Sequence, residues 1–149
     1  MDSEQYMREA LVLAREAYAA GETPVGCVVV SPGGAIVGRG RNRTEEADAT
    51  CHAEMEAIRD ASRALGGWRL SGCALYVTME PCPMCAGAIL AARVSRVVYG
   101  AKDARAGSCG SVLNLFMENY GFAPAVTGGV LADECAGLLG AFFREKRAK

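Results

Sequence analysis

The residues best equipped for chemistry are Pro81-Cys82-Pro83-Met84-Cys85 and His52-Ala53-Glu54. Two cysteines three apart at a strand-to-helix junction project to one side of a first helical turn. The positive end of the helix dipole there favours thiolate over thiol. That pair alone suits a metal site or a dithiol–disulfide couple. His52, the only histidine in the chain, decides for metal, because a redox pair or mere packing leaves it and Glu54 without a role. One neutral imidazole and two thiolates make three ligands for Zn²⁺ and a neutral ligand set. The fourth tetrahedral position stays open to water, as in catalytic zinc sites. Thiolate and imidazole donors make zinc the default among divalent ions, one per chain. Glu54, two residues from His52 at the helix start, is close enough to reach bound water and takes a role other than ligation. Zinc lowers the pKa of such water from 15.7 to about 7, and a neighbouring carboxylate can carry its proton to a substrate. This equipment hydrolyses an electron-poor carbon, such as the amidine carbon of a nucleobase.

The elements that must hold these groups follow from the apolar periodicity. Tyr6, Met7, Ala10, Leu11, Ala14, Ala17 and Tyr18 recur at helical spacing, and Gly21 stops the helix. Val25 to Ser31 and Ala35 to Arg41 read as a hairpin around Pro32-Gly33-Gly34. A second helix is predicted from His52 to about Leu65, with Met55, Ile58, Ala61 and Leu65 on its apolar face. Cys73 to Met79 is a strand, Met84 to Ala92 a helix, and Val94 to Tyr99 a strand entering Gly100. Ala101 to Gly110 is a loop, Val112 to Met117 a short helical turn, and Val126 to Val130 the last strand. A helix over Ala132 to Arg147 turns Cys135, Leu138, Leu139, Phe142 and Phe143 inward. Strands separated by helices imply parallel pairings beside one antiparallel hairpin. The expected fold is a three-layer α/β/α sandwich over a mixed sheet of about five strands.

The chain has 149 residues, which makes one domain spanning 1–149 the expectation. Sixteen basic against 17 acidic residues give a formal charge of −1 and no global reason to bind nucleic acid. The acidic start Met1-Asp2-Ser3-Glu4 lacks the basic, then apolar, pattern of a signal peptide. The densest small-apolar stretch, Cys85 to Ala92, is too short to span a bilayer. Seven cysteines without an export signal argue against a disulfide framework. These features predict a soluble, cytoplasmic protein. Cys27, Cys51, Cys73, Cys109 and Cys135 read as small packing residues, and Cys51 takes no ligand role because it would crowd the open position.

The pattern HxE followed by PCxxC resembles the zinc-dependent cytidine and nucleobase deaminase superfamily. Longer segments narrow the resemblance to bacterial tRNA-specific adenosine deaminases. They include Pro24-Val25-Gly26, Gly40-Arg41-Asn42-Arg43, Leu75-Tyr76-Val77-Thr78, Glu80-Pro81-Cys82, Gly100-Ala101-Lys102-Asp103-Ala104 and Gly129-Val130-Leu131-Ala132-Asp133-Glu134-Cys135. The chain departs from that pattern at Thr44, where proline often follows Asn-Arg. The resemblance implies a cytidine-deaminase-like fold and hydrolytic conversion of adenosine to inosine at the tRNA wobble position. Water activated by zinc on His52, Cys82 and Cys85 would attack C6, with Glu54 moving protons. Asn42 and the backbone at Ala53 would contact the base, Asp103 the sugar or a neighbouring nucleotide, and Phe143 the anticodon loop. Family members are homodimers whose chains share the RNA surface. No membrane and no DNA are expected among the partners.

Each of these residues also has a plainer reading. Asn42 is a common turn residue, and Asp103 in its loop suits a local Asx turn. Of Phe142 and Phe143, at most one can leave the core. Arg144, Lys146, Arg147 and Lys149 put four positive charges in the last six residues against Glu145. They suit a helix C-terminus as well as a phosphate. RNA binding would require them to join Arg39, Arg41, Arg43, Lys102 and Arg105 in one local patch. The rival with the same chemistry is a free-base deaminase for guanine or cytosine. The rival from another class is a non-enzymatic zinc-stabilised or RNA-binding module.

Overall fold

Glycines in the strands set how closely the helices approach. The computed structural model describes residues 1–148. Helix α1 (Ser3–Ala19) opens with a capping box, in which Gln5 N–H donates to Asp2 and Asp2 N–H donates back to Gln5. Its buried face, Tyr6, Met7, Ala10, Leu11, Ala14 and Ala17, lies on strand β1 (Gly26–Val30). Gly26 has α1 backbone directly over its Cα, where any side chain would collide. On the other face, strand β2 (Ile36–Arg41) offers Gly38 and Gly40 to helix α2 (Ala53–Leu65).

That approach keeps Ala61 on the buried face of α2 as expected and corrects the rest of that face. Its buried residues are Ala53, Glu54, Ala57 and Ala61, while Met55 and Ile58 are half-buried and Leu65 is 46% exposed. Small residues win the contact because glycine opposite them brings the two backbones together. A Cβ at Gly40 would lie 2.6 Å from Ala57 N and 2.8 Å from Glu56 Cβ. Gly40→Ala is therefore expected to push the start of α2 away and cost about 1–3 kcal/mol. The change should appear as a lower urea midpoint together with weaker activity, since His52 and Glu54 ride on that helix start.

Strand β3 (Ala74–Met79), helix α3 (Pro83–Ala92), strand β4 (Arg96–Ala101), strand β5 (Ala125–Gly128) and helix α4 (Ala132–Ala148) follow, with a 3-10 turn at Leu115–Met117. Among the described residues the five strands form one sheet in the order β2-β1-β3-β4-β5. Helices α2 and α3 pack on one face, with Cys27, Val29, Leu75, Val77 and Val97; α1 and α4 pack on the other, with Val28, Val30, Tyr76 and Val98. This is the expected three-layer sandwich. The pairing differs in one respect. β1 is antiparallel to both β2 and β3, while β3–β4 and β4–β5 are parallel. The β2–α2–β3 connection passes over β1, so β1 keeps an antiparallel neighbour on each side.

Two strand boundaries also shift. β4 starts at Arg96 rather than Val94, because Arg93 caps α3 in the left-handed region (φ 62°) and Val94 N–H still donates to Ile89 O. β5 ends at Gly128 rather than Val130. It is an exposed edge, and Gly129 (φ 90°) and Leu131 (φ 53°) turn the chain into α4. Among the described residues no helix is long and apolar enough to cross a membrane.

Candidate active site

His52 and Cys82 are the N-cap residues of α2 and α3, and neither side chain caps its own helix. Residues at these positions usually satisfy the first amides. Here both side chains turn instead toward each other across the end of β3. Pro83 follows Cys82 at the first helical position, where a missing N–H costs nothing. Cys85 comes round one turn later. The Sγ atoms of Cys82 and Cys85 each lie 3.5 Å from His52 Nδ1. The three donor atoms fall within 4.8 Å of one another. The donor set fits Zn²⁺: two sulfurs, one nitrogen, one convergent cluster, and no second imidazole or further thiol in it to close a fourth position. Cys51 stays outside this cluster.

The protonation of the cluster is uneven. Cys82 is the thiolate of the pair, held down to about 4 by the hydrogen bond from Cys85 and then by His52 against the opposing effect of burial. The Cys85 thiol is pushed far up by Cys82 and by burial. His52 is raised, chiefly by its hydrogen bond with Cys82. Metal loading must therefore displace the Cys85 proton.

Glu54 sits one residue into α2 and is 4% exposed. Burial pushes its carboxyl up to about 7; its own backbone amide opposes the rise and the Cys82 thiolate adds to it. A carboxyl that changes protonation near neutral pH is matched to moving protons in both directions.

These groups open on a cavity of about 350 Å³. Asn42, Ala53, Asp103 and Phe143, the four residues expected to meet substrate, all line it together with His52, Glu54 and Cys82. Cys85 is fully buried behind them. Asp103 also satisfies its plainer reading, since its Oδ1 accepts from Arg105 N–H (3.0 Å) and Ala106 N–H (3.2 Å). Phe142 is 4% exposed and packs edge-on against Tyr18. Phe143, expected to point inward, is 40% exposed at the cavity mouth. Consecutive helical residues diverge by about 100°, so only one of the two can face the core.

The basic residues are not uniformly available. Arg41 donates to Glu46 at 2.8 Å, and Arg43 donates to Glu56 at 2.7 Å and to Glu46 at 3.0 Å. Their charges are neutralised locally, so these two add little free charge to the patch that RNA binding would require. Arg105 lines the cavity and is exposed. Lys149 of the basic tail lies outside the described residues.

Two buried glutamates that the sequence reading gave no role hold the cavity walls. Glu80, 2% exposed, accepts from the backbone N–H groups of Asp103, Cys109 and Ser111 and from the Ser111 hydroxyl. It thereby pins the loop that carries Asp103, Arg105 and Ala106. Gly107 has no side chain because that carboxylate occupies the space. Glu22, fully buried, does the same for the segment after β2, accepting from Asn42, Glu45 and Glu46. Neither has a short-range signature, because their partners, mostly backbone amides, lie 20 or more residues away.

The Glu80 hub gives a pH expectation. Burial raises its pKa, but the Ser111 hydroxyl and the three backbone amides outweigh that and leave it lowered. A lowered folded pKa adds stability above the ordinary glutamate value of about 4.3, which is lost as acid protonates Glu80. Glu80→Gln is expected to cost about 1–3 kcal/mol at neutral pH, because its amide faces donors with a donor. Urea midpoints of the two proteins should converge on acidification.

The comparisons with known proteins agree with this geometry. Residues 1–101 match the cytidine and deoxycytidylate deaminase zinc-binding region. The chain is 49% identical over 148 residues to the tRNA-specific adenosine deaminase of Bacillus subtilis, covering 98% of this chain and 91% of that protein. It is 53% identical over 144 residues to the tRNA(Ile)-lysidine synthase of Deinococcus deserti, but spans only 27% of that protein's length. A solved chain from work on A-to-I editing by tRNA:A34 deaminases superposes with a TM-score of 0.86 at 43% identity, covering 90% of this chain and 98% of that one. The chain belongs to the zinc-binding cytidine and deoxycytidylate deaminase family, on the branch of the tRNA-specific adenosine deaminases.

Proposed function

We propose that the protein deaminates adenosine to inosine at the wobble position of tRNA. The observation that carries this reading is the convergence of His52, Cys82, Cys85 and Glu54 on one cavity that Asn42, Asp103 and Phe143 also line. When bound by His52, Cys82 and Cys85, zinc supplies the Lewis acidity that lets water lose a proton near neutral pH. Glu54 takes that proton and delivers it to N1 of the base as water adds at C6. Glu54 then takes the second proton of the added water from the C6 hydroxyl and passes it to the exocyclic amine, which leaves as ammonia as the C6 carbonyl forms; adenosine and water become inosine and ammonia. Asn42 and the backbone at Ala53 orient the base edge, and Asp103 orients the sugar or the neighbouring nucleotide. The 350 Å³ cavity admits one nucleotide and little more, so the target must leave the stack of its loop. Phe143 offers the unstacked loop an aromatic face, and Arg105 offers a phosphate partner.

The anticodon loop, a homodimer and a cytoplasmic setting belong to the same reading. Leu65, Val112, Leu113 and Met117 are all exposed and supply apolar surface for a second copy.

The test is inosine formation in an anticodon stem-loop with adenosine at the wobble position, with free adenine, guanine and cytosine in parallel. Conversion of the stem-loop is expected. Conversion of a free base with the stem-loop untouched would keep the zinc chemistry and replace the substrate. Zinc binding with no turnover on any of them would favour a binding module.

A further inference from the structure

Both amide hydrogens of Asn42 are taken within the protein. Its Nδ2 donates to Glu22 Oε1 at 3.3 Å and to Thr44 Oγ1 at 3.1 Å. Three N–H groups converge on the buried Glu22 side chain, those of Asn42, Glu45 (3.0 Å) and Glu46 (2.9 Å). No acceptor faces it among the described residues, which is the setting of a carboxylate. A carboxylate only accepts, so the nitrogen end of the Asn42 amide must be the end that meets it. Among the described residues no group donates to Asn42 Oδ1, and Asn42 lines the cavity. The amide oxygen is thus the atom Asn42 offers a ligand. Thr44 lines the same cavity. Its hydroxyl oxygen accepts from Asn42, which leaves its hydrogen free.

We propose that Glu22 is a positioning residue that determines specificity: it fixes the Asn42 amide with its oxygen toward the cavity, so that wall selects a substrate group carrying a donor hydrogen. The proposal rests on the cavity being the nucleotide site. In an RNA adenosine, donors of that kind are the exocyclic amine and the ribose 2′-hydroxyl. A base edge that presents only a ring nitrogen to Asn42 is disfavoured. The device is nearly isolated from the metal cluster, since Glu22 reaches the site only through Asn42 and the 45–46 backbone.

The first test needs no turnover. In ¹⁵N-labelled, zinc-loaded protein, the Asn42 side-chain amide protons should exchange with solvent at least about tenfold more slowly than those of exposed Asn119. Glu22→Gln should erase much of that protection, and Thr44→Val, a change at a half-buried hydroxyl, should erase part of it. The second test is a swap read as kcat/KM on the stem-loop. Asn42→Asp keeps an acceptor toward the cavity but sets two carboxylates against each other, so a large loss is expected. Adding Glu22→Gln restores an amide–carboxylate pair and should recover at least about tenfold of that loss. A donor role for Asn42 would leave the double variant as poor as Asn42→Asp. Amide protons of Asn42 that exchange as fast as those of Asn119 would also overturn the proposal. A 2′-deoxyadenosine target separates the two donors, because a penalty that disappears in Asn42→Ala marks the hydroxyl. Should the wild type leave every RNA unchanged, the functional reading fails, while amide exchange still decides the orientation of Asn42.

Discussion

Glu54→Ala is expected to bind zinc at the wild-type level and to lose at least about 10²–10⁴-fold in kcat. The reason is positional. Glu54 is two residues past His52 on the first turn of α2, outside the His-Cys-Cys cluster but on the same cavity. Removing its carboxylate leaves the three donors and their helix starts in place. Among the described residues it leaves Glu80 as the one buried carboxylate lining the cavity, and the oxygens of Glu80 are already taken by the 103–111 loop. Glu54→Gln should fail similarly, because an amide keeps the shape but cannot take up and release a proton near neutral pH. Metal analysis and single-turnover rates on the same preparations check both statements. Equal loss of zinc and rate would instead make Glu54 a structural support of the cluster.

Cys82→Ser and Cys85→Ser are expected to weaken zinc affinity by more than about 100-fold, since changing residues that merely support metal ligands already costs about 10–100-fold. Both should lose activity with the metal. Acid should weaken zinc binding in the wild type, because the raised Cys85 thiol must give up its proton to bind. Zinc uptake should accordingly release protons into weakly buffered solution, and chelation should free at least one additional thiol, the half-buried Cys82, for a thiol reagent. A chelator that leaves the thiol count and activity unchanged would contradict the assignment of the cluster.

The parts of this site legible in the sequence are those that local rules write. His52 and Cys82 each stand where a polar loop becomes a helix, so residue type and element boundary can be read together. The three-layer fold follows from alternating periods for the same reason. The buried face of α2 was only partly legible: Ala61 lies on the expected face, but Ala57 faces the core only where Gly38 and Gly40 of another element admit it. The insertion of β3 beside β1 was not legible, because a connecting helix does not say which edge of a hairpin it returns to. Glu22 and Glu80 look like surface acids until the fold brings backbone N–H groups around them. Charge was misleading in the other direction. Arg41 and Arg43 count as cations in the sequence and are paired with Glu46 and Glu56 in the fold.

The most direct test of the central claim is to react the zinc-loaded protein with the anticodon stem-loop in ¹⁸O-labelled water and to map the product nucleosides by mass. Hydrolysis at this site requires one inosine, at the wobble position, carrying one ¹⁸O, with one ammonia released per inosine. An RNA recovered unchanged while a free base takes up the label, or inosine formed without label, would contradict it.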